Sequence, residues 1–323
     1  MATARLVLGI DLGGTKIASV VADERGRVLS RVQVETPQDG PASVVDAMAQ
    51  SARAALREGG FAALDILGIG IGAPGVVDTS EGSLTVAPNL AGWRSTPIRD
   101  PLSKAIGAPA VIGNDATVAA LGEHRFGAGK GTRHMVYITV STGIGGGIVI
   151  NGRVYDGASG SAGEIGHIPL QKDGPPCNCG SAGCLEVLAS GTALARVARE
   201  ALARGERSSL QSVALDDLDA VAVFAAAAQG DRLAQRVVRE GAEYLGMGLT
   251  AVVNIFNPEM IVIGGGVSNR WAEYIAPAVR RMEKMAFARP VSDARVVPAA
   301  LGTDVGTLGA AVLALDAFGG APH

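Results

Sequence analysis

Three cysteines, Cys177, Cys179 and Cys184, are the only ones in 323 residues, and they fall within eight positions. His167 stands ten residues ahead of the first, so "GHIPLQKDGPPCNCGSAGCLE" (166–186) offers one imidazole and three thiolates. That is a complete tetrahedral donor set for Zn²⁺ with no open position, hence a structural site that performs no chemistry itself. Gly180 and Gly183 allow the tight turns needed between Cys179 and Cys184. Three ordinary reduced thiols are the poorer reading, because clustered exposed thiols oxidise readily. A nucleic-acid zinc module is poorer too, since Lys172 is the only Lys or Arg in the stretch. Glu164 and Glu186 bracket the loop, so the metal would fix two carboxylates and an imidazole against a polyhydroxylated ligand.

Two glycine-rich turns carry a different chemistry. In "DLGGTK" (11–16), Gly13 and Gly14 let the backbone turn tightly with amide N–H groups facing an anion. Thr15 and Lys16 add a hydroxyl and a cation, and Asp11, ending a buried strand, suits a hydrated Mg²⁺ beside phosphates. An ordinary hairpin closed by glycines explains this motif alone equally well. The spacing is not that of a Walker loop. "STGIGGG" (141–147), with Thr142 and Gly143, is a second such turn. A third cluster, "GGGVS" (264–268), sets Gly265 and Gly266 between a strand and a helix, where flat backbone suits a nucleotide. Each is weak singly; together they point to a polyphosphate held from two sides.

"IGNDATVAALGEHRFG" (112–127) puts Asn114 and Asp115 where a strand ends and a helix begins. Asp115 there is either a plain helix N-cap or a carboxylate that accepts a hydroxyl proton while Asn114 orients the substrate. "GIGAPG" (70–75) matches the dinucleotide pattern, but Pro74-Gly75 leads into more strand and turn instead of a helix.

The elements that must hold these residues show a repeat. "RLVLGIDLGGTKIASVVADERGRVLSRVQVET" and "HMVYITVSTGIGGGIVINGRVYDG" both read as strand, Gly-rich hairpin, strand, turn, strand, beginning about 130 residues apart. Segments 65–72, 109–113 and 259–266 read as buried strands. Helical periodicity covers 42–58, 115–126, 186–204, 231–255, 270–286 and 305–317, and 201–217 is loop-like. The pattern is that of an α/β chain with two similar sheets, hence two lobes and a cleft. Hydrophobic residues make up 48%, enough for two cores, and the net charge of −3 disfavours a nucleic-acid partner. With no apolar run long enough for a membrane span, no cleavable signal pattern and an odd number of cysteines, a soluble cytoplasmic protein is expected.

On "DLGGTK", "STGIGGG", "AGEIGH" (162–167), "CNCGSAGCLE" (177–186) and "GGGVS", the chain resembles the ROK family of sugar kinases and repressors, from residue 5 to about 317. The resemblance implies an actin-like ATPase (ribonuclease H-like) fold of two lobes, with ATP and sugar in the cleft. It implies a small lobe over 1–113, with helix 304–318 packing back on it, and a large lobe over 114–303 carrying the zinc loop. By position, Asp115 looks like the general base toward a sugar 6-hydroxyl. Asn89, Asn114, Glu164, His167 and Glu186 look like sugar ligands, with His167 also binding zinc through its other ring nitrogen. Asp11, Gly13, Gly14, Thr15, Lys16, Thr142, Gly143, Gly265 and Gly266 then serve ATP and Mg²⁺. Ser141 stands where many members carry glycine. Repressors of the family carry a helix-turn-helix ahead of the first hairpin, and only ten residues precede Asp11 here, which favours a kinase. "APGVVD", "PNLAGW" and the full zinc loop are most similar to members that phosphorylate glucose. N-acetylmannosamine, N-acetylglucosamine or other hexose kinases of the same family and a non-catalytic sugar sensor are the alternatives. A homodimer or homotetramer is the expected assembly.

Overall fold

The computed structural model describes residues 4–86 and 93–320. Along the chain these form β1 (Leu6–Leu12), β2 (Lys16–Asp23), β3 (Val28–Glu35), α1 (Pro41–Gly59), β4 (Ile66–Ala73), β5 (Val76–Asp78), β6 (Ser83–Val86) and β7 (Thr96–Pro97). There follow α2 (Arg99–Ile106), β8 (Ala110–Asn114), α3 (Asp115–Arg125), β9 (Met135–Val140), β10 (Ile144–Ile150) and β11 (Arg153–Val154). The remainder comprises α4 (Leu185–Ala189), α5 (Gly191–Ala203), α6 (Ala220–Ala228), α7 (Arg232–Phe256), β12 (Met260–Gly264), α8 (Ala276–Met285), α9 (Ala288–Asp293), β13 (Arg295–Pro298) and α10 (Val305–Phe318).

Two five-stranded sheets have one topology: β3-β2-β1-β4-β8 and β11-β10-β9-β12-β13. In each, an antiparallel or hairpin-linked meander is extended by two strands parallel to its first. The duplication read from the two meanders is therefore complete, extending to the strands that follow them. A small third sheet, β5-β6-β7, continues the chain after "GIGAPG", and no helix opens there.

The chain forms two compact units, one of residues 1–133, 147–163 and 299–323 and one of residues 134–146 and 164–298. Helix α3 thus belongs with the first unit, beyond the boundary expected at 113. The physical reason is its packing on α10, where a Cβ at Gly122 would meet the backbone of Gly309 at 3.0 Å.

In the first unit the period-2 pattern of β1 divides its faces. Leu6, Leu8, Ile10 and Leu12 join a core with Met48 and Ala52 of α1 and Leu102 of α2. Full burial of each such aliphatic side chain contributes about 1.5–3 kcal/mol. Val7, Gly9 and Asp11 face the other way, where Val7 packs with Leu308 and Ala311 of α10. Gly9 and Gly70 are register partners across β1 and β4. A Cβ at either would run into the α10 backbone, at Thr307 O and Ala310 O respectively. Two aligned glycines therefore let α10 lie directly on the sheet. Asp11 is two residues beyond Gly9 on the same face, so α10 begins beside its carboxylate.

The second unit buries Val136, Ile138 and Val140 of β9 and Ile261 and Ile263 of β12 against Leu249, Val252 and Val253 of α7. Tyr274 is wholly buried there and donates its hydroxyl to Ala189 O at 2.6 Å. The chain passes between the units at Gly146–Gly147, within β10.

Candidate active site

In the first unit, Asp11, Gly72 and Gly113 are in register at the carboxyl ends of three parallel strands. Asp11 lies with its carboxylate where a Cβ on Gly306 would sit, in the first turn of α10. Burial raises its pKa above the ordinary value of 3.8, and the nearby Lys16 opposes this. The adjoining hairpin closes with Gly13 N–H donating to Lys16 O at 2.9 Å. Its carbonyls are all engaged on one side. Thr36 Oγ1 donates to Gly13 O at 2.7 Å, Gln38 Nε2 to Gly14 O at 3.1 Å and Thr36 N to Thr15 O at 3.0 Å. Because trans peptides point C=O and N–H in opposite directions, the Gly14 and Thr15 N–H groups face away from Thr36 and Gln38. That is the polarity an anion requires. Thr15 and Lys16 are exposed. Sequence reasoning missed Thr36, the last residue of the meander, and Gln38 just beyond it, since neither belongs to a motif.

At the end of β8 it is Asn114 that caps α3, accepting from Ala116 N at 3.0 Å and Thr117 N at 3.3 Å. Its Nδ2 donates to Gly75 O at 2.9 Å, which leaves one amide hydrogen for another partner. The helix cap is thus supplied by Asn114, and Asp115 is the first helical residue, exposed, with Oδ1 accepting from Ala116 N at 2.8 Å. Asn89 lies outside the described residues.

In the second unit the ligand atoms of His167, Cys177, Cys179 and Cys184 all lie within 4.8 Å of one another. His167 Nδ1 is 3.5 Å from Cys177 Sγ, and Cys179 Sγ is 3.7 Å from Cys184 Sγ. A tetrahedron with Zn–S near 2.3 Å and Zn–N near 2.0 Å has S···S edges of about 3.8 Å and S···N edges of about 3.5 Å. The four residues fit the ion. The loop is shaped by Gly180 (φ 91°) and Gly183 (φ 66°), and a Cβ on Gly183 would strike Gln171 O. Without a cation, burial pushes the Cys184 thiol up to about 12 and raises Cys177. Cys179 is lowered, chiefly by its hydrogen bond from the Ser181 backbone N–H. A dication reverses the cost of burial by favouring thiolates.

His167 presents Nδ1 to the cysteines and Nε2 toward Glu164 Oε2, 3.8 Å away. Cys184 is the N-cap of α4, so Glu186 sits in the first turn of that helix, two residues past a candidate metal donor. Its Oε2 accepts the Ile144 backbone N–H at 2.9 Å. The metal loop and the 141–147 hairpin are thus joined through one carboxylate.

A cavity of about 470 Å³ opens beside that hairpin, lined by Thr142, Thr192, Asp219, Phe224, Gly266 and Arg270 among others. Thr192 Oγ1 donates to Thr142 O at 2.6 Å, and Gly191 N to Ser141 O at 2.7 Å, so the start of α5 braces the turn. Gly265 has φ 87°, and a Cβ there would meet Val140 O; it shapes the turn that brings Gly266 to the cavity. Gly143 lies instead against Glu186. The Arg270 guanidinium stands over the Phe224 ring, 5.7 Å from its centroid. Thr192 and Phe224 come from α5 and α6 and Arg270 from the link after the 266–269 turn, and none was among the residues singled out by motif.

Two sheets of one topology, each with a glycine-rich hairpin after its first strand, define an actin-like ATPase fold. The chain belongs to the ROK family, whose model matches residues 7–317. It is 40% identical to the glucokinase of Halalkalibacterium halodurans over 94% of this chain and 93% of that one. The crystal structure of a ROK hexokinase from Thermus thermophilus superposes with a TM-score of 0.80 at 40% identity, covering 95% of this chain and 97% of the other. A ROK glucokinase from Streptomyces griseus, solved in complex with glucose and AMPPNP, gives a TM-score of 0.80 at 38% identity over 95% and 98%. Among the described residues no helix is long and apolar enough to cross a membrane.

Proposed function

We propose that the protein phosphorylates glucose at its 6-hydroxyl with ATP, giving glucose 6-phosphate and ADP. The observation that carries this reading is similarity over nearly the whole chain to proteins named glucokinase, with Asp11, Asp115 and the zinc donor set all present. Asp115 is the general base. It accepts the 6-hydroxyl proton as that oxygen bonds to the γ-phosphorus, and the bond to the β–γ bridging oxygen breaks to release ADP. Asn114 fixes the backbone beneath Asp115 by capping α3 and tying down Gly75.

The sugar hydroxyls are assigned to Asn89, Asn114, Glu164, His167 and Glu186. Nδ1 of His167 goes to the metal, and Nε2 is left for the substrate. The phosphates are assigned to the backbone of Gly13, Gly14, Gly143, Gly265 and Gly266, with Thr15, Lys16 and Thr142. The base is assigned to the cavity beside Phe224 and Arg270, whose apolar ring and planar cation suit stacking. Asp11 would hold a hydrated Mg²⁺, which supplies charge neutralisation on the phosphates. His167, Cys177, Cys179 and Cys184 would hold Zn²⁺, which supplies loop rigidity alone. Cytoplasmic placement and a homodimeric or homotetrameric assembly complete the reading, the latter read by light scattering.

The test is sugar-phosphate formation over glucose, mannose, N-acetylmannosamine and N-acetylglucosamine, each with ATP and with inorganic polyphosphate, the ATP arm also followed as ADP release. Glucose with ATP should give the highest kcat/KM. A higher value for an acetylated hexose would move the assignment to that substrate. Sugar binding without any sugar phosphate formed from either donor would make the protein a sensor.

A further inference from the structure

Helix α3 presents Asp115 at its first position and Glu123 in its last turn. The Glu123 side chain is fully buried. A buried carboxylate is disfavoured unless hydrogen bonds replace its hydration. Among the described residues it has no ion-pair partner, and three backbone N–H groups supply that replacement. Ala128 N donates to Oε2 at 2.8 Å, Leu301 N to Oε1 at 2.8 Å, and Ala300 N to both oxygens at 2.9 and 3.1 Å. Both oxygens are therefore acceptors. A Cβ at Gly127 would collide with Oε2, so the neighbouring chain is built tightly around the group.

These bonds join two segments distant in sequence. One follows α3; the other, 299–301, leads through Asp304 into α10. Asp304 is itself paired with Arg31 at 2.5 Å. Two residues further on, Gly306 abuts the Asp11 carboxylate. A single buried side chain thus sets the start of the helix that walls Asp11 relative to the helix that presents Asp115.

We infer that Glu123 is a positioning residue for the phosphoryl transfer, acting through these two carboxylates without touching substrate. This rests on the proposed function. An apolar residue of the same size would fill the space but could not hold three N–H groups in place. Small displacements of reacting groups cost rate steeply, which is why a remote clamp matters to kcat.

The experiment uses the full chain with its zinc, at a temperature where circular dichroism shows each variant folded. Glu123→Gln keeps the volume but leaves one oxygen for the work of two, and turns an NH₂ toward backbone donors. kcat should fall about 10- to 100-fold, while the glucose dissociation constant measured without nucleotide stays within about threefold. Gly127→Ala pushes a methyl against Oε2 and displaces the carboxylate without neutralising it. It should reproduce the loss of kcat, and it decides the matter where Glu123→Gln does not fold. Wild-type kcat in a folded variant would overturn the inference and leave Glu123 a purely structural acceptor. Loss of glucose affinity in step with kcat would also overturn it, as general loosening. Failure of the proposed function shows separately, as absence of turnover in the unmodified chain.

Discussion

Glu186 and Gly143 occupy one place: the space a side chain at 143 would need is taken by Glu186 Oε2, which accepts the Ile144 N–H at 2.9 Å. The residue two past Cys184, a proposed zinc donor, is thereby held by the hairpin that also borders the cavity assigned to the nucleotide. Glycine at 143 is required by that carboxylate; its backbone has no positive φ.

Gly143→Ala is expected to force Glu186 off Ile144 and leave that N–H without its acceptor. Loss of one such charged hydrogen bond is worth about 1.5–3 kcal/mol. The glucose KM should rise about tenfold, corresponding to roughly 1.4 kcal/mol, with a smaller change in the KM for ATP. Steady-state kinetics in both substrates checks this. A rise confined to ATP would mean that Glu186 is indifferent to sugar.

Much of this was legible in the sequence because period and punctuation are local. Both meanders, β4, β8, β12 and the long helices follow apolar patterning bounded by Gly or Pro. Helix α6, "AVAVFAAAA", was missed because it is apolar on every side and gives no 3.6-residue stripe. Helix α2 and strand β13 are eight and four residues long, too short for a firm period. The expected helix 186–204 is broken at Ser190, which caps α5 by accepting from Ala193 N. The expected helix 270–286 opens with a π-turn over 271–275. For the site, the cluster of His167, Cys177, Cys179 and Cys184 was visible because Cys and His are scarce and closely spaced. Thr36, Thr192, Phe224 and Arg270 were not, since only tertiary structure brings such common residues to a site.

Removing one metal ligand tests the loop. Cys179 is the exposed donor, so Cys179→Ser perturbs packing least. Elemental analysis should show zinc falling well below one per chain, because two thiolates and one imidazole bind less tightly than the full set of four donors. Without the metal the loop keeps the isolated bridges Pro169–Cys184 and Pro176–Ala182 and short backbone bonds such as Cys177 N to Ser181 O and Gly183 N to Pro175 O, both 2.8 Å. The glucose KM should rise or turnover vanish, with far-UV circular dichroism essentially kept. Full zinc occupancy and unchanged glucose affinity would give these cysteines another purpose.

Asp11 makes a pH-dependent prediction with a definite sign. Burial raises its pKa, so the folded protein holds this proton more tightly than the unfolded chain does. Ionising Asp11 therefore costs stability, a cost absent below the ordinary pKa of 3.8 and incurred as pH rises through the higher folded value. Asp11→Asn removes the charge. At pH 7.5 without nucleotide its Tm should exceed that of the unmodified protein by roughly 2 °C or more, the gap closing toward pH 4. The same variant should use Mg²⁺-ATP poorly while binding glucose normally. A lower Tm at neutral pH would show that the carboxylate is stabilised in place, by the first turn of α10 for instance.

The base assignment stands or falls on Asp115→Asn. Asn114 already caps α3, so Asp115 is not needed to start the helix, and its replacement should leave the fold and Tm nearly unchanged. The amide keeps the shape of the side chain and its bond from Ala116 N, which is 2.8 Å in the native chain. What it loses is the capacity to take a proton. General-base removal typically costs about 10²- to 10⁴-fold, so kcat with glucose should fall at least about 10²-fold while the glucose dissociation constant measured by calorimetry moves little. Glucose binding and chemistry are separated by this design, because the variant still offers an oxygen and an N–H to the 6-hydroxyl. Near-normal turnover would remove Asp115 from the chemistry and leave the proton to another acceptor.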